Sequence, residues 1–348
     1  MQLPGPVAQD AASVPCRHAC CTEVLINRRQ LHLLAGAAAL GLVSAPIVRA
    51  QDRSVMRILI GFPAGGSADV VARLMTDGMQ AALDQNVIVD NRPGAAGRVA
   101  LGEVKRAVPD GNTLVLAPSG ALVILPWLYK NVGYDPVRDF TPIARVATFD
   151  FAITVGPGAP AGDLKSLLAW LKANPDKANY ATSGAGTVPH FTGVLLAQET
   201  GIRLTHVAYK GGAPAAQDLL GGQVPMMIDT PSETIEHHRA GRVRIVAVTG
   251  ETRSAALPDV PTLKEQGINV VADAFFGLYG PANMPADRVQ RISDAVARTL
   301  ASPDIQARIR ALALTPSYAD AKALAATQAT HLKRWEAPIK ASGYTVEQ

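Results

Sequence analysis

The chain has 348 residues, of which 48% are hydrophobic and 18% are charged. This composition supports a packed core and is untypical of a disordered chain. The formal net charge is +4 and no dense run of Lys and Arg occurs, so the composition argues against nucleic acid as a partner.

Residues 1–50 are predicted to form an export signal. The pair Arg28–Arg29 precedes an apolar run at 31–43, and residues 48–50 supply the small side chains that a signal peptidase recognises. The run is shorter than the roughly 20 residues that a bilayer span requires. We therefore expect cleavage near Ala50 and a periplasmic mature protein. The general secretory route is favoured, while the arginine pair also permits the twin-arginine route.

The cysteines of the chain all precede the predicted cleavage site. They are Cys16, Cys20 and Cys21. The mature chain is therefore expected to form no disulfide and to have neither a catalytic thiolate nor a cysteine metal site.

Strand-like and helix-like patterns alternate along the rest of the chain. Helical periodicity predicts one helix that buries Leu101, Val104 and Val108, and Asp163 is predicted to cap another. From residue 285 onward only helices are predicted. Strands are predicted at 55–60, 87–90, 113–117, 179–183, 204–209, 224–229 and 243–248.

This alternation predicts an α/β fold with two lobes. It is typical of parallel sheets that carry helices on both faces, and about 300 residues exceed what one core usually holds. We predict that the chain crosses between the lobes at 146–160 and around 272–285. Lobe 1 would combine 52–150 with 275–348, and lobe 2 would comprise 151–274, with a cleft between them.

The stretch FPAGGSADVV at 62–71 joins the first predicted strand to a helix. It lacks the Lys of a phosphate-binding loop and the spacing of a dinucleotide fingerprint, which disfavours a nucleotide. Backbone N–H groups at a helix start suit a compact anion such as a carboxylate. A plain tight turn capped by Ser67 is the alternative. The candidate ligand-binding residues here are Phe62, Ala64, Gly65, Gly66, Ser67 and Asp69.

Similar small, polar turns follow other predicted strands, at 117–121, 182–190 and 208–215. In open parallel sheets, ligands bind outside the carboxyl ends of the strands, so turns from both lobes would meet across one cleft. For Lys210 the alternative to ligand binding is a solvated surface charge. For Asp229 the alternative is a helix cap. The further candidates are Ser119, Ser183, Gly184, Gly186, Thr187, His190, Lys210, Gly211 and Asp229.

A secreted serine hydrolase is one alternative function. Ser67, Ser119 or Ser183 would need His190 as a base, but none of these serines lies in a G-x-S-x-G elbow. We expect His190 to be a polar wall of the site and assign no catalytic residue. The histidines lack metal-site spacing, so we expect no metal. We also expect no cofactor.

Many ordered motifs make the chain resemble the Bug family of extracytoplasmic solute-binding proteins, which are associated with tripartite tricarboxylate transporters. The resemblance covers nearly all of residues 55–345. The motifs are FPAGGSAD, VDNRPGAAG (89–97), PDGNTLVLA (109–117), YDPVRDFTPIARV (134–146), NYATSGAGTVPH, HVAYKGG, LPDVPTLKEQG (257–267) and GLYGPANMP (277–285).

The resemblance implies a type II periplasmic binding protein, a two-lobed clamshell with two crossovers. It also implies that a small carboxylate is held by main-chain and hydroxyl groups at Ala64–Asp69 and Ser183–Thr187. We therefore expect a monomeric, non-enzymatic binding protein that delivers a carboxylate to a membrane transporter. A ligand-presenting subunit of a sensor, without a transport role, is the other alternative.

Overall fold

The computed structural model describes residues 54–345. The predicted export signal and the three cysteines lie outside these described residues. Within 54–345, no helix combines the length and the apolar character needed to cross a bilayer.

The strands are numbered here in chain order. They are β1 (Met56–Ile60), β2 (Val87–Asn91), β3 (Thr113–Pro118), β4 (Phe140–Asp150), β5 (Ala152–Val155), β6 (Asn179–Thr182), β7 (Thr205–Ala208), β8 (Met226–Asp229), β9 (Arg244–Val248), β10 (Asp273–Pro281) and β11 (Thr315–Asp320).

The α-helices are numbered in the same way. They are α1 (Ser67–Leu83), α2 (Arg98–Lys105), α3 (Gly120–Val123), α4 (Leu125–Leu128), α5 (Leu164–Ala173), α6 (Val188–Thr200), α7 (Gly212–Leu220), α8 (Ile235–Arg239), α9 (Ala286–Leu300), α10 (Pro303–Ala311) and α11 (Ala321–Ser342). Short 3-10 turns occur at Ala95–Gly97, Pro175–Lys177, Pro231–Glu233 and Lys264–Gln266.

The strands form two sheets, with the orders β11-β4-β10-β3-β1-β2 and β7-β6-β8-β5-β9. The first sheet takes its strands from 56–150 and 273–320, and the second takes them from 152–248. The exact lobe boundaries proposed from the sequence stay a prediction.

Both sheets are mixed, so the prediction of parallel sheets was wrong in part. Strand β1 pairs in parallel with β2 and β3, but β10 is antiparallel to β3 and β4. In the second sheet, β6 is parallel to β7 and β8, but β5 is antiparallel to β8 and β9. The reason is geometric. Strands β5 and β10 are the first to enter a sheet after a crossing, so each runs opposite to the two strands that flank it. Strand β11 is also antiparallel to β4 and therefore runs in the same direction as β10.

The chain passes between the sheets at Phe151 and again within 249–272. Residues 273–281, which the sequence assigned to a crossing, form the central strand β10. Buried Thr249 joins the two connections. Its amide donates to the Phe151 carbonyl at 2.9 Å, its hydroxyl oxygen accepts from the Phe151 amide at 2.8 Å, and its carbonyl accepts from the Ala272 amide at 2.9 Å.

Several local predictions can be compared directly with the structure. Asp163 caps α5, accepting a hydrogen bond from the Ser166 amide at 2.9 Å. Leu101 and Val104 of α2 are fully buried, as predicted. Val108 was placed wrongly on the same face: α2 ends at Lys105 and Val108 is 70% exposed. Strand β11 was not predicted, because it has no run of branched apolar residues and only Ala319 of its six residues is buried.

Candidate functional site

A pocket lies between the two sheets, at the strand ends where the small polar turns occur. It holds about 690 Å³ of empty space, part of which is open to solvent. Both sheets contribute to its wall, as expected for a site in a cleft. Its lining residues include Phe62, Gly66, Ser67, Phe149, Phe151, Ser183, Gly186, Thr187, Gly211, Asp229, Thr230, Glu233 and Phe276.

The first turn, between β1 and α1, is held in shape by Asp69. This buried carboxylate accepts from the Gly65 amide at 2.9 Å and from the Asn91 side-chain amide at 3.0 Å, and it pairs with Arg73 at 2.9 Å. Burial favours the neutral acid, but the hydrogen bonds from Arg73, Gly65 and Asn91 prevail and hold the pKa of Asp69 below its ordinary value. Asp69 therefore supports the turn and does not line the pocket.

The second turn, between β6 and α6, is closed by its own side chains. The Thr187 hydroxyl donates to the Gly184 carbonyl at 2.8 Å and accepts from the His190 amide at 3.4 Å. His190 Nδ1 accepts from the Gly186 amide at 3.2 Å. Burial, with the adjacent His206 as a smaller cause, lowers the pKa of His190 to about 3. His190 is thus a neutral acceptor that braces the turn from behind.

Contacts cross the cleft between the two sheets. The Ser67 amide, at the start of α1, donates to Glu233 Oε1 at 3.0 Å. The Ser67 and Thr230 hydroxyl oxygens lie 3.3 Å apart. The two sides also approach closely at Gly211, where a Cβ atom would lie 2.8 Å from Pro63 Cδ. Groups from the two sides of the cleft therefore contact each other directly.

Two carboxyl groups lie in this pocket. The Asp229 carboxylate accepts from the Ser183 amide at 2.6 Å and from the Thr230 amide at 2.8 Å. Burial raises the pKa of Asp229 despite these hydrogen bonds. Burial and the charge of Asp229 together raise the pKa of Glu233 to about 7, against the opposing effect of the Ser67 hydrogen bond.

The apolar side of the pocket is built from phenylalanines. Phe149, Phe151 and Phe276 are 6%, 4% and 1% exposed. The ring centroids of Phe149 and Phe276 are 4.6 Å apart, and those of Phe149 and Phe151 are 5.6 Å apart with the rings edge to face. Because the rings fix one another, the apolar surface offered to a ligand is rigid.

The structure brings eight of the candidate residues together at the pocket. These are Phe62, Gly66, Ser67, Ser183, Gly186, Thr187, Gly211 and Asp229. Whether they contact a ligand stays a prediction.

The other seven candidates do not line the pocket. Ala64, Gly65 and Lys210 are exposed, and Asp69 and His190 brace the turns. The Gly184 amide donates to Thr182 Oγ1 at 3.2 Å. Ser119 is fully buried, and its hydroxyl oxygen accepts from the Phe275 amide at 3.3 Å, which ties β3 to β10.

Sequence reasoning missed Glu233 and the three buried phenylalanines. Thr230 and Glu233 have the spacing of a capping box, in which the Glu side chain returns to its own helix start. In the structure, the Glu233 amide donates to the Thr230 carbonyl at 3.1 Å, while the Glu233 side chain crosses to Ser67. The spacing of Thr230 and Glu233 was a signal in the sequence, but it did not indicate that the Glu233 side chain crosses to Ser67.

Ser67, Ser119 and Ser183 form no hydrogen bond with His190 among residues 54–345, so the pair needed for a serine hydrolase is not assembled there. The same residues contain no group of three or more His, Cys, Asp or Glu side chains placed to hold a metal ion.

The fold is that of the periplasmic binding proteins. The structure of periplasmic binding protein BugD matches with a TM-score of 0.80 and 33% identity, over 84% of this chain and 99% of BugD. MatC from Rhodopseudomonas palustris with bound malate matches with a TM-score of 0.77 and 29% identity, over 82% of this chain and 98% of MatC. A second R. palustris protein, solved with adipate, matches with a TM-score of 0.80 and 28% identity, over 84% and 98%.

Sequence comparison identifies the family. Residues 71–344 match the family described as "Tripartite tricarboxylate transporter family receptor". The chain is 34% identical over 319 residues to the "UPF0065 protein in gbd 5'region" of Cupriavidus necator, covering 91% of this chain and 97% of that protein. It is 29% identical over 290 residues to BugT of Bordetella pertussis, covering 83% and 89%. The chain belongs to this receptor family, and the predicted resemblance to the Bug proteins is confirmed.

Proposed function

We propose that the protein is a periplasmic solute-binding protein that captures a small carboxylate-bearing ligand between its two sheets and delivers it to a tripartite tricarboxylate-type transporter. The pocket between the sheets carries this proposal, because turns from both sides reach it in a chain of this receptor family. The malate and adipate in two related structures support a carboxylate as the ligand.

The pocket offers neutral groups to a carboxylate. Ser67, Ser183 and Thr187 line its wall with hydroxyl groups, and the Ser183 side chain also forms a hydrogen bond with Asp229. Neutral donors stabilise an anion without leaving an unpaired cation in the empty cleft, which would be costly to desolvate.

Calorimetry with acids and their amides tests the proposal. A thermal-shift screen first selects a carboxylate, and its primary amide serves as the matched comparison. We expect the amide to bind at least about tenfold more weakly, because it presents donors to a site that already presents donors. Equal affinity for the acid and the amide would contradict carboxylate capture.

Delivery and export need separate measurements. If the protein serves transport, cells that lack it should take up less of the labelled ligand. If it is a sensor subunit instead, cells that lack it should take up the ligand normally but lose their response to it. The intact mass of periplasmic material tests the predicted cleavage near Ala50.

A further inference from the structure

The charge of the pocket differs from what anion capture alone requires. Asp229 and Glu233 are the charged side chains of its wall, and no Lys, Arg or His among residues 54–345 joins them there. The Ser67 and Ser183 amides, which sequence analysis assigned to a ligand, donate to these two carboxyl groups instead. The cleft therefore carries acidic groups without a cationic partner.

Glu233 has a defined place in the pocket. A Cβ atom on Gly212 would lie 2.5 Å from Glu233 Cδ, so the absence of a side chain at this glycine makes room for the carboxyl group. Ser67 is the only residue within 54–345 that donates a hydrogen bond to Glu233. Asp229, in contrast, receives hydrogen bonds from both Ser183 and Thr230. Glu233 thus keeps unused acceptor capacity inside the cleft.

A dianionic ligand would bring a further carboxylate close to this pair. Like charges in a poorly hydrated site repel one another strongly, and the buried phenylalanines keep water away from one side of the pocket. A ligand with a cationic nitrogen would instead supply the missing counter-charge and form charge-assisted hydrogen bonds.

We propose that the pocket selects zwitterionic carboxylates, with the cationic nitrogen of the ligand paired to Glu233 beside Asp229 and its carboxylate bound by neutral groups of the two turns. Glu233 is then the specificity-determining residue that disfavours dianions of similar size. This inference rests on the proposed function and narrows its ligand class.

Two matched ligand series test the inference by calorimetry at pH 7.5. The first is 4-aminobutyrate, 4-hydroxybutyrate and glutarate, which share three methylenes. The second is phenylalanine, phenyllactate and benzylmalonate, which share a benzyl group. In each series we expect the amine to bind at least about tenfold more tightly than the hydroxy acid, and the dianion to bind most weakly.

Variants test whether Glu233 causes the preference for the amine over the dianion. Glu233→Gln keeps the shape and an acceptor for the Ser67 amide, and should reduce the preference for the amine over the dianion about tenfold or more. Glu236→Gln is the matched control, because Glu236 is exposed and pairs with Arg239 outside the pocket. If circular dichroism shows that Glu233→Gln folds poorly, Asp229→Asn serves as a second test of the preference for the amine over the dianion.

The outcomes separate the two proposals. If acids bind but the dianions bind as tightly as the amino acids, this inference is overturned and carboxylate capture stands. The same holds if Glu233→Gln changes the ratio of amino-acid to dianion affinity by less than about twofold. If neither these probes nor any acid in the thermal-shift screen binds, carboxylate capture fails and the ligand class fails with it.

Discussion

Each of the two pocket turns is fastened by one aspartate that accepts hydrogen bonds from backbone amides. Asp69 binds the Gly65 amide and Asp229 binds the Ser183 amide. Arg73 pairs with Asp69, and the pKa of Asp69 is lowered; no described cation pairs with Asp229, and its pKa is raised. The sequence shows Arg73 one helical turn after Asp69, a spacing at which ion pairs form, but it does not show the burial that raises the pKa of Asp229.

Asp150 provides a test of buried charge at a residue that does not line the pocket. It ends β4, opposite Asp273 of β10, and burial followed by the charge of Asp273 raises its pKa from 3.8 to about 6. A carboxyl group whose pKa is raised in the folded state contributes stability below about pH 4, which is lost as the pH rises through 6.

We therefore expect Asp150→Asn to stabilise the protein at pH 8 by roughly 1–2 kcal/mol, a value reduced for partial exposure, and to have little effect at pH 4. Urea unfolding across this pH range measures the difference. Asp259→Asn, at an exposed site, is the control. A constant difference between Asp150→Asn and the wild type at every pH would show that charge is not the cause.

At the scale of elements, two hydroxyl groups near the N-terminus of α6 have different surroundings. Thr187 caps this helix and also donates to Gly184, whereas the Ser183 side chain lies at the pocket wall and forms a hydrogen bond with Asp229. Loss of a helix cap costs about 1 kcal/mol. We expect Thr187→Ala to lower the free energy of unfolding by about that amount while changing ligand affinity less than about threefold.

Ser183→Ala should differ from Thr187→Ala in its effect on binding. Its affinity for a carboxylate should fall about 10- to 150-fold, the value of one hydrogen bond to a charged group. Calorimetry and chemical unfolding on both variants give the comparison. Asp163→Ala, which removes the cap of α5, controls for the effect of losing a cap on binding.

Most elements were predictable because their apolar residues follow strand or helix periodicity. Strand β1 and helix α1 have clear patterns, and their buried residues follow them. The direction of β5 and β10 was not predictable in this way, since periodicity is the same for parallel and antiparallel strands. Gly277 and Gly280 interrupt β10 and made it resemble a linker, although all but its first residue are buried. The site turns were found from their small residues, whereas Glu233 reaches the pocket only through tertiary contacts.

At the scale of the whole molecule, the close approach at Gly211 predicts how far the cleft can close. Gly211 has a φ of +119°, and a Cβ atom there would overlap Pro63 on the other side of the cleft. With a carboxylate found in the thermal-shift screen, small-angle scattering should show a smaller radius of gyration for the wild type. Gly211→Ala should show less of this change and weaker binding.

Gly102→Ala is the control for this measurement, because the nearest atom to its new Cβ would be Arg106 Nη1 at 3.6 Å, an ordinary contact. Equal compaction in Gly211→Ala and the wild type would mean that closure does not bring Gly211 and Pro63 together.

The link through Thr249 has a practical consequence. Because Phe151 and Ala272 are bound to the same residue, the two connections cannot easily slide past each other, and bending is the motion left to the two sides of the cleft. A single distance across the cleft then follows ligand occupancy. Residues 54–345 contain no cysteine, so a dye pair on two introduced cysteines, one at exposed Ala64 and one at exposed Lys210, would turn the protein into an optical sensor for its own ligand.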